Sequence, residues 1–254
     1  MSCKVMGIVN VTPDSFSDGG QFFKPEEAIR RAKNLVADGA DIIDLGGEST
    51  RPGATPIGWE EEWARIEPVL RGIREQGTGN RERGTGIGVS VDTYHPETAE
   101  RAIRAGANII NCVYPEPLAE MIRVIADAAQ DTELVVPYRL GDEDFRRETE
   151  DASIVSRLYL DPMIGFNTTR EEDIELLRSI PELAKKGRVL VGASRKRIVK
   201  KLTGSEGKVG KNVGGNVAIA VWAAMNGASV VRVHDVKETV QALRVVDALG
   251  EGER

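Results

Sequence analysis

Two polar segments near the start of the chain contain more hydroxyl, amide and charged groups than a connection between two elements requires. The first follows an apolar run and reads Asn10-Val-Thr-Pro-Asp-Ser-Phe-Ser-Asp-Gly-Gly20. The second reads Asp44-Leu-Gly-Gly-Glu-Ser-Thr-Arg-Pro-Gly-Ala54. Connections after strands are usually short, and polar residues concentrated there are typical of functional sites. Both segments therefore indicate chemistry at the C-terminal ends of strands.

Later apolar runs also end in residues that can bind a ligand. In chain order, the residues at these ends are Asn10, Glu48 to Pro52, Asp92, Asn111, Tyr138, Asp161, Ser194 to Arg197, Arg232 and His234. A single Asp at such a position equally well caps the helix that follows. Polar ends on most of the strands favour one shared site.

Four of these residues suit a flat, nitrogen-rich heterocycle. Asp92, Asn111 and Asp161 supply acceptors and amide groups that can pair with ring N–H and amino donors. Lys196 can donate to a ring carbonyl or nitrogen. These residue types therefore predict a pocket for such a ring.

Three others suit an anion. Arg232 and His234, with the amide of Asn10, form a cationic set of donors for phosphate oxygens. The Asn10 carbonyl is also an oxygen donor of the kind that binds Mg²⁺, which is commonly held in part by substrate phosphates.

Apolar runs alternate with amphipathic helical patterns from end to end. The predicted strands are Lys4–Val11, Asp41–Gly46, Gly86–Asp92, Asn108–Cys112, Glu133–Tyr138, Arg157–Asp161, Arg188–Ala193 and Ser229–Val233. The predicted helices are Pro25–Asp38, Trp59–Glu75, Pro96–Ala105, Leu118–Ala129, Glu171–Lys185, Val213–Met225 and Val236–Leu249. Eight strand–helix units of this size predict an α/β fold, a TIM (β/α)8 barrel that forms a single domain over residues 1–254. The competing open sheet normally has a glycine-rich turn after its first strand, which this sequence lacks.

The composition of the chain argues against several classes of protein. A net charge of −6 argues against a nucleic-acid-binding surface. The sequence has no apolar run near the roughly 20 residues of a membrane span, and its start leads directly into a strand, so we expect neither a membrane segment nor a signal peptide. Two cysteines provide neither a disulfide framework nor a metal cluster, and a cytoplasmic protein is the expectation.

The two polar segments resemble the signature stretches of the dihydropteroate synthase family, enzymes of folate synthesis. Further segments match the pterin pocket of that family: Val89-Ser-Val-Asp-Thr93, Ile109-Ile-Asn111, Asp161-Pro-Met-Ile-Gly-Phe166 and Ser194-Arg-Lys196. The resemblance implies that Asp92, Asn111, Asp161 and Lys196 bind the pterin. It extends over nearly the whole chain.

The same resemblance implies two more subsites and a closing device. The implied pyrophosphate site consists of Asn10, Arg232 and His234, the last two within Arg232-Val-His-Asp235. The implied p-aminobenzoate site consists of Thr50, Arg51, Pro52, Phe166 and Arg197, near the start of a helix expected at Ser194–Leu202. Phe16, Asp18 and Arg51 match residues with which two loops close over the site in that family.

The implied reaction joins the methylene of 6-hydroxymethyl-7,8-dihydropterin pyrophosphate to the amino group of p-aminobenzoate and releases pyrophosphate. The expected route is dissociative, so the C–O bond breaks first and the amine captures a pterin methylene cation. Catalysis then consists of stabilising charge. The expected catalytic residues are Asp92, Asp161, Lys196, Arg232 and His234, with Mg²⁺ as the cofactor and Asn10 as its ligand. The resemblance also implies a homodimer with a face near Val217 and Trp222, and an enzyme targeted by sulfonamides.

Three segments depart from the family pattern. The acid that usually follows the pterin Asn is replaced in Ile110-Asn-Cys112, Val136-Pro-Tyr-Arg-Leu-Gly141 is atypical, and Asp161-Pro-Met163 has a side chain where the family prefers glycine. The fifth unit is short, with room only for a charged helix over 142–153. Neutral variation explains these changes, as does a paralogue that keeps the pterin pocket with altered or lost activity. A pterin-dependent methyltransferase is a further alternative, although it has no need of the two polar loops together with Ser194-Arg-Lys196.

Overall fold

Eight parallel strands, each paired with its neighbours in chain order, close into a barrel. The computed structural model describes residues 3–12, 24–49, 55–75, 86–128, 131–138, 152–206 and 212–250. The strands are β1 (Lys4–Asn10), β2 (Ile42–Gly46), β3 (Gly88–Asp92), β4 (Ile109–Asn111), β5 (Glu133–Pro137), β6 (Leu158–Asp161), β7 (Arg188–Val191) and β8 (Val230–Val233). Met6 of β1 lies opposite Ile42 on one side and Arg232 on the other, which closes the barrel. The predicted (β/α)8 barrel is confirmed, whereas the assignment of residues 1–254 to one domain stays a prediction.

Helices follow the strands and cover the outside of the barrel. They are α1 (Pro25–Ala37), α2 (Trp59–Glu75), α3 (Pro96–Arg104), α4 (Leu118–Asp127), α5 (Ala152–Val155), α6 (Arg170–Arg178), α7 (Ile180–Ala184), α8 (Arg197–Leu202), α9 (Val213–Met225) and α10 (Val236–Gly250). Gly39, Gly106 and Gly227 stand between a helix and the next strand with φ of +100°, +102° and +97°. Such left-handed positions end helices and favour glycine. Within the described ranges, no helix has both the length and the apolar character needed to span a membrane.

Three predicted helices differ from the structure by more than two residues or by a break. The helix expected at Glu171–Lys185 is two helices that meet at Ser179, because Pro181 has no N–H to continue the hydrogen-bond ladder. The helix expected at Ser194–Leu202 begins only at Arg197, after Arg195 adopts a left-handed φ of +61° that a right-handed helix excludes. In the fifth unit, α5 lies at Ala152–Val155, and most of the helix expected over 142–153 lies outside the described residues.

One layer of apolar side chains fills the inside of the barrel. This interior layer consists of Met6, Ile42, Ile109, Val135, Tyr159, Leu190 and Val230. The larger remaining core lies between the strands and the helices that cover them. Because side chains alternate between the two faces of a strand, residues two and four positions after the interior layer also point inward, nearer the C-terminal end of the barrel. That end is where enzymes with this fold keep their active sites.

A candidate active site at the barrel mouth

The inward positions that follow the interior layer are mostly polar. Two positions after a member of the layer come Asp44, Asn111, Asp161 and Arg232. Asn10 follows Met6 by four positions in β1, and Asp92 ends β3. The alternation of the strands therefore brings residues from six strands to one mouth, as the sequence predicts.

Arg232 is the centre of the charged part of the site. Its Nε donates to Asp44 Oδ2 at 2.6 Å and its Nη2 donates to Asp92 Oδ2 at 2.5 Å. Asp44 is completely buried. Burial disfavours the charged form of Arg232, but Asp44 and Asp92 outweigh it and raise the pKa of the guanidinium. One cation thus holds two carboxylates from β2 and β3.

Asp92 is a carboxylate of this group whose pKa is strongly shifted by its surroundings. Burial raises its pKa to about 7, with Arg232 opposing the shift and Asp44 adding to it. Its side chain is still 18% exposed, so it faces the mouth. A carboxylate with this pKa can accept hydrogen bonds from a ligand and can exchange a proton with it near pH 7.

Asp161 and Lys196 form the second charged group. Asp161 Oδ1 accepts a bond from the Met163 N–H at 2.7 Å, and Lys196 Nζ donates to the Ile164 carbonyl at 2.6 Å. Lys196 Nζ also lies 4.1 Å from the centroid of the Phe166 ring. Burial lowers the pKa of Lys196 to about 8, although Asp161 opposes the shift, and burial raises the pKa of Asp161 against the pull of Lys196. The Lys196 ammonium and the Asp161 carboxylate are therefore held where water solvates them only weakly.

Two buried oxygen atoms in the site have unused acceptor capacity. Asn111 Nδ2 makes a long contact of 3.5 Å with Asp44 Oδ2. Among the described residues, neither Asp44 Oδ1 nor Asn111 Oδ1 has a hydrogen-bond partner. Because buried polar atoms rarely lack a partner, these oxygens mark where a bound molecule would donate hydrogen bonds. This fits a ring that carries N–H and amino groups.

The remaining predicted phosphate ligands lie at the β1 and β8 side of the mouth. His234 Nδ1 is 3.1 Å from Ser194 Oγ, which also accepts from the His234 backbone N–H at 3.3 Å. A Cβ added to Gly46 would lie 3.9 Å from Asn10 Oδ1 and 4.0 Å from Asp92 Oδ2, so the Asn10 amide and Asp92 flank the same point. Asn10 is therefore next to the Arg232 group.

Of the six remaining predicted residues, the structure describes only Arg197. Thr50, Arg51, Pro52, Phe16 and Asp18 lie outside the described residues. Arg197 is the exposed first residue of α8, and Lys196 occupies the N-cap position expected to lie inside the helix. In the part of the chain that the structure describes, no group of three or more His, Cys, Asp or Glu side chains is arranged to hold a metal ion.

Sequence reasoning missed two buried acids near the mouth. Asp44 follows the apolar Ile42 by two positions, so strand alternation alone would have directed it inward. Glu62 lies in α2 with the buried residues Ile66, Val69, Leu70 and Ile73, at helical spacing on the apolar face. Thr93 Oγ1 donates to Glu62 Oε2 at 2.6 Å, and burial raises the pKa of Glu62. In both cases the signal in the sequence was an acidic residue at a position where the periodicity of the strand or helix predicts an apolar one.

Comparisons with known proteins agree with this geometry. Residues 6–234 match a protein family described as pterin binding enzyme. The dihydropteroate synthase of Neisseria meningitidis serogroup B is 38% identical over 97% of this chain and 93% of its own length, and that of Streptococcus pyogenes serotype M6 is 34% identical over 96% and 95%. A structure of Xanthomonas albilineans dihydropteroate synthase with 4-aminobenzoic acid superposes with a TM-score of 0.82 at 39% identity, over 98% of this chain and 93% of that one. A structure of the Yersinia pestis enzyme in a sulfonamide drug complex superposes with a TM-score of 0.79 at 32% identity, over 99% and 95%.

Proposed function

The chain belongs to the dihydropteroate synthase family of pterin-binding enzymes, and on that premise we propose which of its residues perform each part of the reaction. The enzyme condenses 6-hydroxymethyl-7,8-dihydropterin pyrophosphate with p-aminobenzoate and releases 7,8-dihydropteroate and pyrophosphate. The observation that supports the proposal is the pair of buried charged groups at the mouth, Arg232 between Asp44 and Asp92, and Lys196 beside Asp161.

The pterin occupies the space between these groups. Asp92, Asn111 and Asp161 accept from its N–H and amino groups, and Lys196 donates to its carbonyl or ring nitrogen. The unpaired Asn111 Oδ1 supports this orientation, because a bound donor would satisfy it. Asp44 supports the site from below by holding Arg232.

Bond cleavage is assisted by charge at both ends of the breaking C–O bond. Arg232, His234 and Asn10 stabilise the leaving pyrophosphate, and the two bonds to Asp44 and Asp92 use two of the five N–H groups that an arginine has. The carboxylates of Asp92 and Asp161 stabilise the positive charge that develops on the methylene carbon. Fixed charges in a site with little water act strongly on a transition state of this kind.

The amine is delivered beside Phe166. The ring of Phe166 lies over Lys196 Nζ and thereby joins the pterin pocket to the p-aminobenzoate site. Arg197, with Thr50, Arg51 and Pro52, completes that site, and Phe16, Asp18 and Arg51 close it. An aromatic amine is neutral near pH 7, so it needs no strong protein base to attack the cation. Sulfonamides would compete with p-aminobenzoate here.

Mg²⁺ is the proposed metal and accompanies the pyrophosphate. The carbonyl of the Asn10 amide would hold it, because Mg²⁺ prefers oxygen ligands and is bound in part by substrate phosphates. When bound, the ion neutralises charge on the leaving group. Asn10→Ala should weaken the binding of pyrophosphate, measured by calorimetry, and the loss should be larger with Mg²⁺ than without it, because the change removes both a phosphate donor and the metal ligand.

The proposed homodimer uses the faces of α9 and α10, which pack against each other. Trp222 and Met225 of α9 are 50% and 60% exposed, and Val245 and Leu249 of α10 are 60% and 75% exposed. Apolar side chains grouped in this way are typical of an interface. Trp222→Glu should produce a monomer in sedimentation experiments. Cys3 and Cys112 are free thiols, which supports the cytoplasm as the location.

The decisive experiment measures pyrophosphate release and dihydropteroate formation with and without p-aminobenzoate. Lys196→Met and Asp161→Asn should each lower amine-dependent turnover by at least about 100-fold, since each removes a charge that contacts the pterin. The matched controls Lys201→Met and Asp127→Asn change exposed residues of the same types and should keep turnover. Full turnover in both Lys196→Met and Asp161→Asn, with correctly folded proteins, would show that the residue assignment is wrong.

A further inference from the structure

Arg195 has an unusual backbone conformation for an arginine. It lies in the connection from β7 to α8 with a φ of +61°. A side chain with a Cβ is disfavoured in this left-handed region, because the Cβ lies too close to a backbone carbonyl oxygen. Such a conformation persists only where the surrounding contacts impose it, and it often marks a functional position.

A closed ring of hydrogen bonds imposes this conformation. The Arg195 backbone N–H donates to Asn216 Oδ1 at 2.9 Å, and its Nη2 donates to Asp235 Oδ1 at 2.8 Å. Asn216 Nδ2 completes the ring by donating to Asp235 Oδ2 at 2.7 Å. The three residues come from the connection after β7, from α9 and from the position just after β8. We call them the Arg195 ring.

The ring is built for a charged Asp235. Burial raises the pKa of this carboxyl, but bonds from Arg195 and Asn216 outweigh burial and lower it overall. Asn216 and Asp235 are 3% and 8% exposed. Both carboxylate oxygens are therefore occupied by donors, one from the buried Asn216 and one from the Arg195 guanidinium, whose side chain is 35% exposed.

Two members of the Arg195 ring are adjacent in the chain to residues of the proposed site. Arg195 precedes Lys196, and Asp235 follows His234. Ser194 joins the same two segments, because its Oγ lies 3.1 Å from His234 Nδ1. The ring thus joins the backbone that carries the pterin-binding Lys196 to the backbone that carries the phosphate-binding His234.

We propose that Arg195 is a positioning residue, which through Asn216 and Asp235 fixes Lys196 and His234 relative to each other and does not itself contact substrate. Its guanidinium is the first of the three cations in Arg195-Lys-Arg197, yet its charge is used within the protein. This inference rests on the proposed roles of Lys196 and His234.

A double-mutant cycle tests the ring. Arg195→Ala and Asp235→Asn should each lower kcat/KM for the pterin substrate by roughly 10- to 100-fold, because small displacements of positioning groups are costly. The double variant should be no worse than the worse single variant, because both changes break the same ring. Arg104→Ala removes an exposed arginine that is paired with Glu100 and should leave kcat/KM unchanged. If Arg195 contacted substrate instead, the two losses would multiply, and the proposal would be wrong.

Two further variants separate positioning from folding. Arg195→Gly removes the side chain and tolerates a positive φ, so it should remain folded by circular dichroism while kcat falls more than KM rises. Arg195→Lys should restore part of kcat, because an ammonium can reach one oxygen of Asp235. The pH profile of kcat/KM should also shift in Arg195→Gly, because Lys196 moves. An unchanged profile and unchanged kcat in Arg195→Gly would overturn the proposal.

The same assays distinguish this inference from the assignment on which it rests. If Lys196→Met and His234→Ala abolish turnover while the Arg195 variants are fully active, only the positioning role is wrong. If Lys196→Met and His234→Ala are fully active, the site assignment itself is wrong.

Discussion

The charged barrel mouth and the apolar region beside it are built on different physical principles. The ionic side consists of Asp44, Asp92, Asp161, Lys196 and Arg232, which are held by opposite charges and hydrogen bonds. The apolar side consists of Cys112, Val113 and Tyr138, which are buried just after β4 and β5, and strand alternation turns Cys112 and Tyr138 towards the surrounding helices. Asn111, at the end of β4, stands between them.

This difference indicates which changes the enzyme tolerates. On the ionic side, removal of one charge leaves its partner buried and unpaired, which costs far more than the contact itself contributes. On the apolar side, the cost of a substitution depends on volume, and similar volumes are exchanged cheaply. Two of the three departures from the family pattern fall on the apolar side, at Cys112 and at Val136 to Tyr138, the described part of the second departure. The charges that we propose for the reaction are kept on the ionic side.

The largest expected effect is that of Arg232→Leu. This change leaves Asp44 and Asp92 close together without their shared cation, and Asp44 is completely buried. We expect the free energy of unfolding in urea to fall by about 3–5 kcal/mol and turnover to be lost. Adding Asp44→Asn to Arg232→Leu should recover part of the stability and none of the turnover. A fully stable Arg232→Leu protein would contradict the division into an ionic and an apolar side.

The next effect is a dependence of activity on pH that only the ionic side explains. Asp92 has its pKa raised to about 7 and Lys196 has its pKa lowered to about 8. If Asp92 must be ionised and Lys196 protonated, kcat/KM for the pterin substrate should rise through about pH 7 and fall above about pH 8. Asp92→Asn should remove the rising limb and lower the maximum.

The free energy of unfolding should also depend on pH through Asp92, and the direction of this dependence follows from the direction of the pKa shift. Because folding raises the pKa of Asp92 from 3.8, the folded state binds more protons than the unfolded state between that value and about 7. Its contribution to stability is therefore fully present below the unfolded pKa and is lost as the pH rises through about 7. Urea denaturation of Asp92→Asn should show a smaller loss of stability across this range than the parent protein. An equal loss in both proteins would assign the effect to another group.

The sequence predicts the barrel well because each strand signal is local. Apolar runs of β-branched residues and the glycines after helices mark all eight strands and most of the helices to within two residues, and alternation directs Asn10, Asp92, Asn111 and Asp161 to one mouth. What the sequence does not reveal is tertiary pairing. The hydrogen bond between Arg232 and Asp44 joins residues 188 positions apart in the sequence. The hydrogen bond between Arg195 and Asp235 in the Arg195 ring joins residues 40 positions apart. No local pattern encodes which buried acid will pair with which cation.

A smaller effect is expected where the third departure meets the ionic side. Met163 has a φ of +64°, and its N–H binds Asp161 Oδ1. The family's glycine suits this left-handed position, because glycine has no Cβ to clash. Met163→Gly should raise the free energy of unfolding by up to about 1 kcal/mol and leave turnover within about twofold. Met163→Ala keeps the backbone strain and should give no such gain, so equal gains in both variants would refute the strain argument.

The smallest effect belongs to the apolar side, at Cys112. Its side chain is completely buried, and burial raises the pKa of the thiol to about 12, so it stays protonated and is a poor nucleophile near pH 7. Cys112→Ala should lower the free energy of unfolding by about 1 kcal/mol, through lost packing, while turnover stays within about twofold. Cys112→Asp, which places an acid after Asn111 as the family pattern has it, should be much less stable, because the charge would be buried beside Asp92. If Cys112→Ala abolished turnover while the protein stayed folded, the apolar side would contribute to the chemistry, and the contrast between the two sides would fail.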